Sequence, residues 1–245
     1  MVFDTALTAP GNYPVLTVQQ NDAPNKFWAI PILGIVAKGF AVIPVGVWLY
    51  VLTLAVMVML VINSFSVLFS GTYMEATRNL VRGWLRLETR VALFVYGITD
   101  RYPGFSLEPL PSDTFTLDMP DPISPSRGFA IPMLGGLARG VMIIPLGIWA
   151  QVVGSGAFVG MIVASFSVLL AGRYPESVYE IGRDAMRLGL ASSAYFAGLS
   201  DSYPSFSISM NHPGTKWAMI GFGIVLTLLN VAQNAAQSSQ QARGG

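Results

Sequence analysis

Two long runs of apolar residues dominate the chain, and each is followed by a segment in which polar and apolar positions recur at helical spacing. Phe40 to Ile62 and Gly140 to Leu170 contain no charged residue, and each exceeds the roughly 20 residues that carry a helix across a hydrocarbon core. Both predict membrane-spanning helices. A third run, Lys216 to Ala236, opens on a Lys-Trp pair suited to a membrane interface and predicts a last span. Phe27 to Ala37 and Phe129 to Ala138 are apolar but short, are broken by Pro31, Gly34, Pro132, Gly135 and Gly136, and are followed by Lys38 and Arg139. They predict interfacial or re-entrant helices leading into the spans, their cations reaching the headgroups. Pro44 and Pro145 then fall in the first turns of the spans, where a missing N–H costs least.

The pattern occurs twice. Ser64-Phe65-Ser66-Val67-Leu68-Phe69-Ser70-Gly71-Thr72-Tyr73 returns as Ser165-Phe166-Ser167-Val168-Leu169-Leu170-Ala171-Gly172-Arg173-Tyr174. Ile30-Pro31 pairs with Ile131-Pro132, Trp48 with Trp149 and Asp100 with Asp201, all at one offset of 101 (131 − 30). A duplicated module explains this better than coincidence. Residues 13–18 and 114–119 alternate and are rich in β-formers, as are Phe105 to Leu107 and Phe206 to Met210, so each copy offers two strands. Between them, Glu75 to Thr99 spaces Arg78, Arg82, Arg86 and Arg90 four apart, one slowly drifting stripe on a helix. The second copy keeps Arg183 and Arg187.

If each arginine helix also crosses, both copies begin and end on one face and can share a sheet. The expected fold is therefore mainly α, a helical transmembrane protein of two parallel pseudo-symmetric repeats with two membrane helices each. A C-terminal transmembrane helix and a small extramembrane four-stranded β-sheet complete it. Its parts are residues 1–110, the first repeat, 111–212, the second, and 213–245, the last helix followed by a disordered Gln/Ser-rich tail.

Composition narrows the function. The chain has 53% hydrophobic and 11% charged residues, against about 25% charged in an ordinary soluble domain. It has no Cys, which removes disulfides and thiolate metal sites, and a net charge of +1, which gives nucleic acid no basic surface. With His212 the one histidine, a bis-histidine haem cannot form within the chain. The N-terminal segment lacks the basic-then-apolar order of a cleaved signal, so the first span is expected to serve as the insertion signal. A small excess of Lys and Arg on the side of the arginine helices directs those toward the cytoplasm and the strands outward.

Ile-Pro early in a span, Phe-x-[Ile/Val]-Leu-x-x-Gly-x-Tyr-Pro at its end, an Arg-bearing helix and then Asp-x-Tyr-Pro-x-Phe-Ser-Leu together resemble a bacterial family of integral membrane proteins of unknown function. The first copy carries Phe65-Ser66-Val67-Leu68 and Asp100-Arg101-Tyr102-Pro103-Gly104-Phe105-Ser106-Leu107. The second carries Gly172-Arg173-Tyr174-Pro175 and Asp201-Ser202-Tyr203-Pro204-Ser205-Phe206-Ser207. Family members often have His after the early Pro, where Val45 and Leu146 stand here, so any role of that His is lost. The resemblance implies a multi-pass protein of the bacterial inner membrane and no particular activity.

Candidate chemistry is sparse. Arg78, Arg82, Arg86, Arg183 and Arg187 are candidate contacts for lipid headgroups or a partner's carboxylates, against the plainer reading of interfacial snorkelling and local pairs. Asp100 and Asp201 suggest paired acid–base chemistry, against Asp in a turn satisfying backbone amides. Ser64, Ser66, Ser165 and Ser167 have no neighbouring His to activate them and fit helix contacts. Gly156 and Gly160 lie on one helix face and predict a close helix-packing seam, within the protein or with another subunit. No catalytic, cofactor or metal set emerges. The first expectation is a non-enzymatic accessory or scaffold subunit of a larger bacterial membrane assembly, with membrane lipids and other membrane subunits as partners and no nucleic acid. The alternative is a binder or carrier of lipid or another hydrophobic molecule in a cavity between the copies.

Overall fold

The computed structural model describes residues 14–19, 24–119 and 125–243. Tyr13, at the start of the first expected strand, lies outside them. The elements in order are β1 (Val15–Val18), α1 (Leu33–Ser70), α2 (Glu75–Val95), β2 (Phe115–Asp118), a 3-10 turn (Arg127–Ala130), α3 (Leu134–Ala171), α4 (Glu176–Phe196) and α5 (Pro213–Arg243). Three of them, α1, α3 and α5, are long and apolar enough to cross a membrane.

Each repeat is an antiparallel helix pair. The chain leaves α1 through Gly71 and α3 through Gly172, both left-handed, with φ of 73° and 70°. Glycine takes this conformation without a Cβ penalty, which fits it to end a helix before a tight return. Asn63 near the end of α1 accepts the Met74 N–H at 2.8 Å, and Trp84 donates to Thr53 at 3.1 Å, so α2 runs back along α1. The buried positions of α1 are Gly34, Lys38, Val45, Leu52, Val56, Asn63 and Val67. Steps of four and seven keep these on one narrow stripe, and the rest of the helix is left uncovered.

Both long helices begin through the same strained turn. Ile32 and Met133 have φ of 65° and 63°, and the next residue donates back across each, Leu33 to Pro31 at 2.7 Å and Leu134 to Pro132 at 2.8 Å. These are γ-turns of the rarer hand, which ordinary side chains adopt only under constraint. The constraint is adjacent: a Cβ on Gly34 or Gly135 would meet the carbonyl of Trp28 or Phe129 well inside contact distance. Because these turns lead directly into the helices, no separate interfacial helix precedes α1 among the described residues. Pro44 and Pro145 accordingly sit inside the helices rather than in their first turns.

Several expectations are corrected. Among the described residues the sheet has two strands, β1 and β2, paired antiparallel with Leu16 opposite Leu117. These residues are equivalents at the repeat offset, so the pseudo-two-fold axis passes through that pair. The expected third and fourth strands, around Phe105 and Phe206, are extended but unpaired, because side chains take their carbonyls. Arg86 bonds the Leu107 carbonyl at 3.4 Å, Arg90 bonds those of Ser106 and Glu108, Arg187 that of Ser207, and Lys216 that of Ile208 at 3.1 Å.

The repeats are also not side by side in one direction. Tyr73, in the turn of the first hairpin, donates to the Ala197 carbonyl at the open end of the second at 2.8 Å. Tyr174 donates to the Tyr96 carbonyl at 2.9 Å in the reciprocal place. The hairpins therefore pack antiparallel. Arginines and strands, expected on opposite membrane faces, are bonded to each other: Arg82 to the Met119 carbonyl beside β2. Finally, α5 continues through Arg243 as helix, past the polar stretch read as a disordered tail.

Candidate functional site: two junctions between the repeats

Where the turn of one hairpin meets the open end of the other, the pseudo-symmetry produces two equivalent junctions. In the first, Arg139 projects from the second turn of α3 and bonds the carbonyls of Tyr195 at 2.7 Å and Ser200 at 3.0 Å and the carboxylate of Asp201. Its guanidinium is also 4.7 Å from the Phe129 ring centre and 5.1 Å from that of Tyr195. The other oxygen of Asp201 accepts the Ser126 N–H at 2.8 Å. Tyr73 completes the group from the opposite repeat. Burial holds its phenol above the ordinary range despite the lowering influence of Arg139, so it remains a donor.

The second junction repeats this with Lys38, Asp100, Asn25 and Tyr174. The Asn25 N–H reaches Asp100 at 2.6 Å, and the Lys38 ammonium is 5.4 Å from the Phe94 ring centre. Asp100 and Asp201 thus do satisfy backbone amides, but those of segments 75 residues away rather than of their own turns. Each carboxylate is bound to a cation of its own repeat or faces one, which suits a structural clamp rather than paired acid–base chemistry.

The junctions differ in what fills them. The first encloses a cavity of about 150 Å³, the second about 20 Å³. Two substitutions at equivalent positions reduce the side-chain volume in the first junction, and a third adds an amide to it. Gly136 stands where the second junction has Ile35, Phe129 where it has Trp28, and Asn63 where it has Ala164. A Cβ on Gly136 would meet nothing within 4 Å. The larger cavity is apolar through Leu60, Val67 and Ala130, and its inner end carries Asn63, Tyr73, Ser126 and Arg139. The Asn63 carbonyl oxygen is taken by the Met74 N–H, so what Asn63 has left to offer is its amide N–H donors. The lining residues Met57, Val61, Ile131 and Met133 are exposed apolar side chains. The mouth therefore opens onto apolar surface.

The arginine stripe lies elsewhere and is occupied. Arg78 pairs with Glu75 at 3.8 Å, Arg82 and Arg86 bond backbone as described, Arg183 bonds Ser209 at 2.5 Å and Asp184 at 3.3 Å, and Arg187 holds Ser207. Arg90 forms the most complete of these contacts, its Nε and Nη2 bonding both oxygens of Asp113 at 2.7 and 2.8 Å. Burial raises the Asp113 carboxyl, but the bonds from Arg90 and the Leu110 N–H outweigh it and hold the pKa below the usual carboxylate range. Gly156 faces α5 within the chain, where a Cβ would lie 2.5 Å from the Met219 carbonyl oxygen, and Gly160 faces both α4 and α5, where a Cβ would lie 3.0 Å from Val178 and 3.3 Å from the end of the Met219 side chain. The four serines of the repeated block bond helix or turn carbonyls, Ser66 to Thr72 and Ser167 to Arg173, both at 3.0 Å. His212 is exposed and 3.9 Å from Glu180. Among the described residues no cluster of His, Cys, Asp and Glu is placed to hold a metal ion.

The junction residues Lys38, Arg139, Asp100 and Asp201 were visible in sequence as equivalents, yet nothing local showed that Lys38 and Arg139 line the space between the repeats. With the two copies and their junctions defined, comparison with known proteins places the chain. Two segments, residues 33–106 and 135–207, match the profile of a domain of unknown function, DUF4389, and together they cover more than half of the sequence. The chain belongs to the DUF4389 family. Its two matches coincide with the two helix hairpins and the extended segments that follow them. No curated protein and no solved structure matches the chain.

Proposed function

We propose that this DUF4389 protein is a non-enzymatic membrane protein that binds a lipid or similar hydrophobic molecule at the first repeat junction. The observation that carries this reading is the cavity: apolar walls, a mouth among exposed apolar side chains, and hydrogen-bonding groups at the inner end. An apolar cavity near 150 Å³ takes a group about the size of benzene. That volume fits one ring or a few methylenes, with the rest of the molecule lying outside in the apolar layer. Arg139 is already neutralised by Asp201, so the inner end suits an uncharged hydroxyl, ester or amide better than an anion. The same internal pairing of carboxylates and arginines supports the absence of catalysis.

The test is to purify the protein in mild detergent and identify co-purifying lipid by mass spectrometry, comparing Gly136→Ile with the parent. Gly136→Ile rebuilds the filler that closes the second junction. The reading requires bound lipid in the parent and its loss in the variant; equal lipid in both would overturn it.

A second reading, a scaffold subunit of a larger bacterial membrane assembly, is favoured by one other feature. A groove of about 700 Å³ between α3 and the far part of α5 is lined by Gln151, Ser155, Asn230 and Gln233 among apolar residues. Carboxamides and hydroxyls on an apolar surface are groups that a partner's membrane helix can bond. Stoichiometric protein subunits in the same purification would support this reading.

A further inference from the structure

The apolar faces of α1 and α3, read against the packing of the hairpins, say how the protein sits in a bilayer. On α1 the residues Phe40, Val47, Leu54, Val58, Val61 and Phe65 are all exposed, and at 100° per residue they lie on one half of the helix surface. No charged residue occurs from Gly39 to Met74 or from Gly140 to Gly172. Over such a length this is a surface for hydrocarbon, since leaving it exposed to water would cost much free energy.

Standing the helices across the membrane conflicts with the bonds between repeats. A hairpin whose two helices both cross has its turn on one face and its two ends on the other. Both hairpins start from the one sheet formed by β1 and β2, so both would open toward the same face. Instead the turn residue Tyr73 is bonded to Ala197 at the open end of the other hairpin, and Tyr174 to Tyr96. The sheet itself lies beside the first half of the arginine helices rather than beyond their ends: Arg82 bonds the Met119 carbonyl, and Tyr179 in the first turn of α4 bonds that of Val18 at 2.6 Å. Upright helices would place the sheet, Arg82 and Arg183 near the centre of the hydrocarbon, where ionisable groups are rare and costly.

Length gives the same answer. Each of α1 and α3 has 38 residues, about 57 Å at 1.5 Å per residue. To fit a core of about 30 Å, such a helix would lean roughly 60° from the normal, beyond the usual range of about 0–40°.

We propose that α1 and α3 lie along the membrane plane, their uncharged faces embedded in one leaflet, with α2, α4 and the sheet stacked on the water side and the pseudo-two-fold axis along the membrane normal. In this pose Trp48 and Trp149, which donate to the Phe105 and Phe206 carbonyls at 3.3 and 2.9 Å, sit where the apolar face meets the extended polar segments. That boundary is where tryptophan is favoured in membranes. The mouth of the first junction's cavity opens toward the embedded face. This inference rests on the packing of the helices and stands whether or not that cavity binds lipid.

The chain lacks cysteine, so single-cysteine variants can be labelled without background. Nitroxides at Phe40→Cys, Val47→Cys, Leu54→Cys, Val61→Cys and Phe65→Cys, in vesicles of phosphatidylethanolamine and phosphatidylglycerol, report depth by oxygen and nickel-chelate quenching. The in-plane pose requires one common depth, within a few ångströms, along the whole helix. A depth profile that deepens toward Leu54 and rises again on either side overturns it. As an independent readout, Glu75→Cys in the first turn and Ser112→Cys beyond the open end are treated with an impermeant maleimide in sealed native membrane vesicles of one orientation. Labelling of both from one side supports the pose; labelling from opposite sides overturns it.

Discussion

The contact between α3 and α5 is close enough that a single methyl group should disturb it. A Cβ on Gly156 would lie 2.5 Å from the Met219 carbonyl oxygen and 3.0 Å from its carbon, and one on Gly223 would be 3.0 Å from the Gly156 nitrogen and nearer still to the Val152 carbonyl oxygen. Carbon–oxygen contacts settle near 3.3–3.6 Å, so α5 must retreat by about 1 Å. A gap of that size forfeits roughly a quarter to a half of the dispersion attraction across it, here along Met219 and Ile220. Overpacking costs about 1–3 kcal/mol, whereas replacing helical glycine by alanine returns about 0.5–1 kcal/mol. Gly156→Ala and Gly223→Ala should therefore each destabilise the protein by about 1–2 kcal/mol on these combined terms. Gly46→Ala and Gly147→Ala are the controls, because a Cβ there meets nothing within 4 Å, and each should gain up to about 1 kcal/mol from propensity alone. Chemical unfolding in one detergent compares all four. If the seam variants unfold with the controls, the close approach of α5 to α3 is not present in the protein and the reasoning fails.

Three further outcomes are expected. Asp113→Asn leaves the buried Arg90 guanidinium without its carboxylate and should cost about 3 kcal/mol in an unfolding titration. Because the carboxyl is held below its ordinary pKa, the stability it contributes in the parent is complete above about pH 4 and is lost as pH falls through the depressed value, and the variant should lack that acid limb. Tyr73→Phe and Tyr174→Phe each remove one donor at a junction and should cost about 1 kcal/mol, with faster amide exchange at Ala197 or Tyr96 as the local readout. Met133→Gly relieves a positive φ at an exposed side chain and should raise stability by about 1 kcal/mol; a loss of that size would show the turn to be unstrained.

What the sequence revealed depended on how local the determining interaction is. The duplication and the uncharged lengths of α1 and α3 are written in consecutive residues and emerged from pattern alone. The segments at Phe105 and Phe206 alternate as strands do, but whether they pair was decided by arginines 16 to 21 residues away that reach their carbonyls first. The direction of packing between repeats was out of reach for a related reason. It is fixed by Tyr73 with Ala197, 124 residues apart, and Tyr174 with Tyr96, 78 apart. Nothing in either neighbourhood distinguishes a tyrosine that crosses to the other repeat from one that caps its own turn. The Gly156 seam was legible as a seam, and its partner proved to be the chain's own last helix.

Duplication leaves two kinds of position, and the two junctions separate them. Residues that build the framework have stayed alike across the copies: Tyr73 and Tyr174, which bond from one repeat to the other, and, within each repeat, Asp100 and Asp201, Trp48 and Trp149, and the strained turn before each long helix. Each of these makes the same bond in both places, so a change in one would unbalance a symmetric framework. Some residues that face the space inside the junctions differ between the copies, while others, such as Val67 and Val168, are the same. Ile35 against Gly136 and Trp28 against Phe129 remove volume from the first junction, while Ala164 against Asn63 adds an amide to it. The second copy has also gained Gly156 and Gly160 where the first has Ala55 and Met59, which is why α5 can seat against α3 while the equivalent face of α1 stays bare. Asn63 has a structural reason, since it accepts the Met74 N–H, but packing alone gives none for an emptied cavity beside it, because a void costs stability. A ligand that fills the void removes that cost and can accept from the Asn63 amide, which is the argument for looking for that ligand at the first junction and not the second.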